Sequence, residues 1–256
     1  MKGKFKFEGN GGALFCLFFV QGILTAITLG IYYPWAMVKI IEYFAECLTL
    51  DGKKFEFGGN GGELFCLFFV NALLTGITLG IYYPFAMLKV EKYFTENISL
   101  DGKAFAFSDD NGCDFWCVLF VQCLITGVTL GIYYPWAMVK IQKYLLERTS
   151  YEGKKFSTTA NGGELFCLFF VQGLLTLITL GIYYPWAMAK IMNYLISSMT
   201  YGENEKFELN LAGGKMFCLM VVQGGILVSI TLGIYTPWYV VNYYKYIADN
   251  LEVKSA

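Results

Sequence analysis

The chain has 256 residues, of which 56% are hydrophobic and 15% charged, and its mean hydropathy is +0.50. Roughly 25% charged residues would be usual for a soluble domain, so the composition is that of a membrane protein. A net charge of -1, no histidine and no cluster of lysine or arginine exclude an electrostatic nucleic-acid binder.

One segment organises the chain. Thr28-Leu29-Gly30-Ile31-Tyr32-Tyr33-Pro34-Trp35-Ala36-Met37 returns around Pro84, Pro135 and Pro185 and, altered, around Pro237, at spacings of 50 to 52 residues. Such self-similarity makes the chain a single membrane domain of five tandem units, approximately residues 1–50, 51–100, 101–150, 151–200 and 201–256.

Each unit opens on a short alternating segment: Gly3-Lys4-Phe5-Lys6-Phe7, Phe55-Glu56-Phe57, Phe105-Ala106-Phe107, Phe156-Ser157-Thr158 and Phe207-Glu208-Leu209. Alternation predicts one short strand per unit with one buried face, and strands this short need to pair with one another. Asp51-Gly52 and Asp101-Gly102, just before two of them, are turn residues. Asn10-Gly11-Gly12, Asn60-Gly61-Gly62, Asn111-Gly112 and Asn161-Gly162-Gly163 then break the chain. The polar stretch before Asn10 has no character of a cleavable signal.

Helix A follows, over residues 13–29 in the first unit. It carries no charge in its body, and Glu63, Asp114 and Glu164 occupy its first turn in three units, where they suit the helix dipole. The run of about 17 residues is near the lower limit for a membrane span. Gln21, Thr25 and Thr28 share one helix face. Asn71, Gln122, Gln172 and Gln223 repeat the amide, and Thr75, Thr126 and Thr176 repeat the first hydroxyl. A primary amide facing lipid is costly, so the stripe should face protein or water.

Gly30 permits a sharp turn, and Pro34 suits the first turn of a second helix, where its missing N–H is harmless. Tyr32, Tyr33 and Trp35 have apolar rings with polar tips, the composition of an interfacial belt. Core aromatics of a soluble helical repeat are the other reading, and the uncharged helix A favours the belt. Helix B, over residues 34–48, is amphipathic. Its Lys39 recurs as Lys89, Lys140 and Lys190, with Asn242 in the last unit; Tyr43 recurs as Tyr93, Tyr144, Tyr194 and Tyr246. The lysine lies roughly 7 Å beyond the belt residues, so it either snorkels back towards them or faces an aqueous path.

Cys16, Cys66, Cys117, Cys167 and Cys218 recur at one place in helix A, with Cys47, Cys113 and Cys123 as extras. In an apolar helix these read as buried packing thiols. With no Cys-x-x-Cys and no histidine, no metal site and no cofactor are expected.

Near-identical units fit a membrane best with an even number of crossings each. The fold expected is therefore an α-helical polytopic membrane protein of five tandem repeats, each a short β-strand plus a Gly/Pro-broken helical hairpin. Its ten helices would be membrane-embedded, with the strand linkers and both termini on one side. Lys53, Lys54, Lys154 and Lys155 mark that side as cytoplasmic.

Gly162-Gly163-Glu164-Leu165-Phe166, then Leu175-Thr176-Leu177-Ile178-Thr179-Leu180-Gly181-Ile182-Tyr183-Tyr184-Pro185-Trp186-Ala187, and Asp51-Gly52-Lys53-Lys54-Phe55-Glu56-Phe57 resemble the signature of the DUF898 family of bacterial proteins, also called the YjgN family of inner-membrane proteins. The resemblance covers nearly the whole chain. It implies a multi-pass protein of the bacterial inner membrane and brings no established activity and no catalytic residues. Family members usually follow Pro-Trp-Ala with several basic residues, whereas this chain has Met37-Val38-Lys39.

Two functions fit these features. In a channel or transporter for a small solute, Gln21, Asn71, Gln122, Gln172 and Gln223 would line the path, and Lys39, Lys89, Lys140 and Lys190 would favour an anion. In a membrane-embedded scaffold, strand edges would pair with a partner or with a second copy, and nothing would be transported. An enzyme is not expected, because the usual acid-base devices are missing.

Overall fold

The computed structural model describes residues 3–108 and 112–255; Asn111, in the third Asn-Gly break, lies outside them. Each repeat contributes two helices. They are α1 (Gly11–Ile27) and α2 (Tyr33–Cys47), α3 (Gly61–Ile77) and α4 (Tyr83–Asn97), α5 (Gly112–Val128) and α6 (Tyr134–Arg148), α7 (Gly162–Ile178) and α8 (Tyr184–Ser197), and finally α9 (Gly213–Ile230) and α10 (Thr236–Asp249).

The Asn-Gly-Gly breaks are helix caps. Asn10, Asn60 and Asn161 each use the side-chain oxygen to accept from the N–H two residues on, at 2.8 Å, which satisfies one of the orphan donors of the first turn. The prolines sit at the start of the B helices, as their missing donor requires.

One strand per repeat proves too few. Eleven strands lie among the described residues: β1 (Gly3–Phe7), β2 (Leu48–Leu50), β3 (Lys53–Phe57), β4 (Ile98–Leu100), β5 (Lys103–Ala104), β6 (Ala106–Phe107), β7 (Thr149–Tyr151), β8 (Lys154–Thr158), β9 (Met199–Tyr201), β10 (Glu205–Leu209) and β11 (Leu251–Ser255). The chain leaves each B helix straight into a strand that pairs, antiparallel, with a strand from before the A helix. Phe5 thus lies opposite Leu50, and Phe55 opposite Leu100.

The chain divides into two compact units, one of Met1–Cys16, Leu48–Gly52 and Ser157–Ala256, the other of Leu17–Cys47 and Lys53–Phe156. In the first, the strands pair in the order β9, β10, β11, β1, β2, so that the last strand of the chain lies beside the first, with Gly3 opposite Val253. In the second, β4 lies between β3 and β5, and β7 pairs with β6 and with the start of β8. β5 and β6 flank Phe105, whose ring packs on Tyr151 at 4.7 Å. The β4–β5 turn has Asp101 and Gly102 at φ +56° and +75°, the left-handed pair of a tight hairpin.

Strand aromatics meet the first turns of the A helices. In the second unit, Phe57 packs with Leu64 and Val38, and Phe107 with Phe115 and Leu88. In the first unit, Leu209 and Leu211 pack with Met216 and Ala189. These cores lie at the strand-bearing base of each hairpin.

The expectation of a ten-helix polytopic fold is overturned. The A helices of the first four repeats have 17 residues, a length of about 25 Å against a hydrocarbon core of about 30 Å, and the B helices carry charges. Among the described residues a single helix, α9 with 18 residues, is long and apolar enough to cross a membrane. Its extra length has a local cause. Gly224-Gly225 stands where the fourth repeat has Gly173 alone, and the added residue is absorbed by widening Cys218–Leu227 into a π-helix.

Candidate membrane-contact site at the hairpin tips

The two helices of each repeat join through the same tip. At the end of α1, Gly30 N–H donates to Thr25 O at 2.8 Å and Leu29 N–H to Ala26 O at 3.1 Å, with Leu29 at φ +50° and Gly30 at +91°. The Thr28 hydroxyl donates to Leu24 O at 2.8 Å and accepts from Tyr32 N–H at 3.0 Å, which clamps the start of helix B to the end of helix A. Thr78, Thr129, Thr179 and Thr231 make the same pair of bonds. Thr28 therefore caps the turn rather than extending a polar stripe. Thr25 and Thr176 also turn inward, donating to Gln21 O and Gln172 O at 2.7 Å.

A leucine occupies the left-handed position in all five tips, at a backbone cost of about 1–2 kcal/mol that glycine would avoid. Leu29, Leu79, Leu130, Leu180 and Leu232 are 93–94% exposed, and Ile31, Ile81, Ile132, Ile182 and Ile234 beside them are also exposed. In water such a tip is unfavourable in both conformation and hydration. Against an apolar phase the leucine side chain offsets its backbone strain.

The aromatic residues divide their roles. Tyr33, Tyr83, Tyr134 and Tyr184 are exposed, while Pro34, Pro84, Pro135, Pro185 and Pro237 are buried. Trp35 lies between Tyr32 of its own tip, at 6.0 Å, and Phe65 of the next repeat, at 5.3 Å. Trp186 is held likewise by Tyr183 and Phe217, and Trp238 by Tyr235 and Phe15. The tryptophans interlock repeats, and the tyrosines stay at the surface.

Amides and lysines occupy different surroundings. Asn71, Gln122 and Gln172 are buried, and Asn71 Nδ2, Gln122 Oε1, Gln172 Oε1 and Gln21 Oε1 have no hydrogen-bond partner among the described residues. Gln223 differs, since its Oε1 accepts from Asn242 Nδ2 at 2.9 Å. Gln172 belongs to the wall of an open groove of about 560 Å³ along α7, formed with Gly163, Glu164, Cys167, Leu168 and Val171. The lysines are exposed. Lys39 pairs with Glu42 at 2.7 Å, whereas Lys89, Lys140 and Lys190 donate to the hydroxyls of Tyr82, Tyr133 and Tyr183 at 2.7, 3.0 and 3.1 Å.

The cysteine reading needs correction. Cys16, Cys66, Cys117, Cys167 and Cys218 are exposed free thiols on the outer face of the A helices, not core-packing groups. Helix A is apolar nearly all round, so its pattern does not show which side is covered. Among the described residues, no group of three or more His, Cys, Asp or Glu is placed to hold a metal ion.

Comparison with known proteins places these features in context. The family model described as "Bacterial protein of unknown function (DUF898)" matches over residues 2–66, 53–112, 109–167, 154–197 and 187–256. A protein of Salmonella typhimurium named "Inner membrane protein YjgN" is 49% identical over 47 residues, 18% of this chain and 12% of that protein. Its namesake in Escherichia coli K12 is 40% identical over 50 residues, 20% of this chain and 13% of that protein. The matched stretches are thus about an eighth of the length of these relatives. No solved structure is matched.

Proposed function

The chain belongs to the DUF898 family, and from that premise we propose that it resides in the bacterial inner membrane, like the relatives so named, seated in the bilayer by its hairpin tips and serving as a structural scaffold. The strand-bearing bases, with Lys53, Lys54, Lys154 and Lys155, face the cytoplasm in this reading. The observation that carries it is the set of five uncharged tips, each ending in a leucine that is almost wholly exposed and held in a left-handed conformation. Moving five such side chains from water into acyl chains contributes on the order of 10 kcal/mol. Flotation with phospholipid vesicles tests the reading. The unchanged protein should rise with the vesicles, and a variant carrying Leu29→Asp, Leu79→Asp, Leu130→Asp, Leu180→Asp and Leu232→Asp, with unchanged circular dichroism, should not. Equal flotation of the two would remove the basis for tip seating.

A second reading, passage of a small solute, is favoured by one observation: Gln172, a buried amide with an unpartnered oxygen, stands in the wall of the α7 groove. In this reading the repeat amides line the polar path within each unit, Gln21, Asn71 and Gln122 in one and Gln172 and Gln223 in the other, and Lys39, Lys89, Lys140 and Lys190 select anions. Chloride and sodium flux through reconstituted vesicles, with the four lysines intact or changed to glutamate, decides it. Anion preference that reverses with the charge supports passage, and flux equal to that of empty vesicles removes it.

A further inference from the structure

Going along each of the first four B helices from its tip, the first charged residue is a lysine: Lys39, Lys89, Lys140 or Lys190. It comes about 9 Å from the start of the helix, at 1.5 Å per residue. A cation so close to an uncharged apolar tip needs a counter-charge or water. In the first repeat Glu42 supplies the counter-charge at 2.7 Å. In the last repeat Asn242 takes this position and bonds to Gln223, and the first cation of the helix, Lys245, comes three residues later.

The three middle repeats are built differently. Lys89 donates to the Tyr82 hydroxyl, Lys140 to that of Tyr133 and Lys190 to that of Tyr183, each ammonium 5.5–5.8 Å from the ring centroid. Each tyrosine ring is fixed in turn by stacking on Phe85, Trp136 or Trp186. Because the tyrosine oxygen accepts from the lysine, its own O–H remains to donate. The lysine keeps two further N–H bonds, and no ion pair engages it among the described residues. Each of these three repeats thus presents one fixed hydroxyl donor and one ammonium side by side at an exposed surface, a combination that suits a phosphate oxygen.

We propose that Lys89 with Tyr82, Lys140 with Tyr133 and Lys190 with Tyr183 are three equivalent sites for the phosphate of an anionic phospholipid, and that the first and last repeats have none. The assignment rests on the seating of the tips in a bilayer, which makes lipid the phosphate these pairs meet. It also makes the repeats functionally unequal, although their tips are alike.

Lipid retention by the full chain tests this. Protein purified in micelles containing equal phosphatidylglycerol and phosphatidylcholine is analysed by native mass spectrometry for bound lipid. About three phosphatidylglycerol molecules should be retained per chain, and the Lys89→Gln, Lys140→Gln, Lys190→Gln triple variant should lose that preference. Each single change should lower retention by about five-fold at its site. Tyr82→Phe, Tyr133→Phe and Tyr183→Phe together keep the ring stacking and should weaken retention without abolishing it. Lys39→Gln should leave it unchanged. Equal retention of the two lipids by the unchanged protein, or a Lys39→Gln loss as large as that of Lys89→Gln, would overturn the assignment. Vesicle flotation separates this failure from failure of the seating itself: a protein that floats without lipid preference is seated but lacks headgroup sites, and one that does not float is not seated.

Discussion

The indole ring of Trp238, in the last repeat, fills the space that a side chain on Gly11, at the start of the first A helix, would need. Gly61 stands in the same relation to Trp35, and Gly213 to Trp186. The glycine that opens an A helix is thus the socket for the aromatic residue that opens the preceding B helix, and at Gly11, which no B helix precedes, the final helix of the chain supplies the ring. A Gly11→Ala change should lower stability by about 1–3 kcal/mol through overpacking. Gly22→Ala, in the same helix but with nothing within 4 Å, should raise it by about 0.5–1 kcal/mol. Thermal unfolding in detergent, followed by tryptophan fluorescence, reads both, and the opposite signs are the test.

Removing the tip clamp should loosen one turn without unfolding the hairpin. Thr179→Val loses both the bond to Leu175 O and the acceptor for Tyr183 N–H. A cost of about 0.5–1.5 kcal/mol is expected, with the Tyr183 amide exchanging hydrogen faster. Thr176→Val removes only a donor to Gln172 O and should leave Tyr183 protected. Unchanged exchange at Tyr183 in Thr179→Val would show that the clamp is not needed.

Exposed thiols predict small effects. Alanine at Cys16, Cys66, Cys117, Cys167 and Cys218 should each change stability by no more than about 0.5 kcal/mol, as for other uncovered positions. Leu165, fully buried, should cost about 2–5 kcal/mol when changed to alanine. Denaturation midpoints in one detergent compare them. A loss at Cys167 approaching that at Leu165 would mean that the outer face of α7 is covered.

On the β10–β11 pair, Glu208 and Glu252 lie directly opposite, and Lys254 bonds to both. Hydrogen bonding from Lys254, with help from Asn210, holds the Glu208 carboxyl below its ordinary range, and the same carboxylates raise Lys254 above its own. A lowered carboxyl contributes stability above its unfolded value of about 4.3, lost as pH falls through the folded value. The raised lysine contributes below about 10.4, and its share is lost as pH rises through the folded value. Lys254→Gln should therefore destabilise the strand pair at pH 7, where Glu208 would lose the ammonium that favours its charge, and less at pH 3, where the contribution of the lowered Glu208 carboxyl is being lost. Melting temperatures of the unchanged protein and the variant at the two pH values measure this; an equal difference at both would assign the loss to packing.

The repeat length, the hairpin with its Gly30 and Pro34 corner, the Asn-Gly breaks and the Asp-Gly turn were legible in the residues because each depends on chemistry within a few positions, whereas the capping role of the asparagines came from the structure. Helix A begins at Gly11 and helix B at Tyr33, within two residues of expectation. The π-helix is equally local, since one extra glycine must widen the helix if its ends are to stay in place.

Tertiary structure alone decided the rest. Leu48-Thr49-Leu50 is too short to declare a period, and it becomes a strand because β1, more than forty residues earlier, offers it a ladder. The Trp238–Gly11 socket joins residues from opposite ends of the sequence, which no local pattern encodes. A helix that is apolar on every side has no covered face written in it, so packing had to place Cys167 outside and Gln172 inside. Lys39 and Lys89 hold the same place in the repeat, but Glu42 stands three residues after the first and Lys92 three after the second, so that difference was already in the residues; that Lys89 turns back to the Tyr82 hydroxyl is what the structure added.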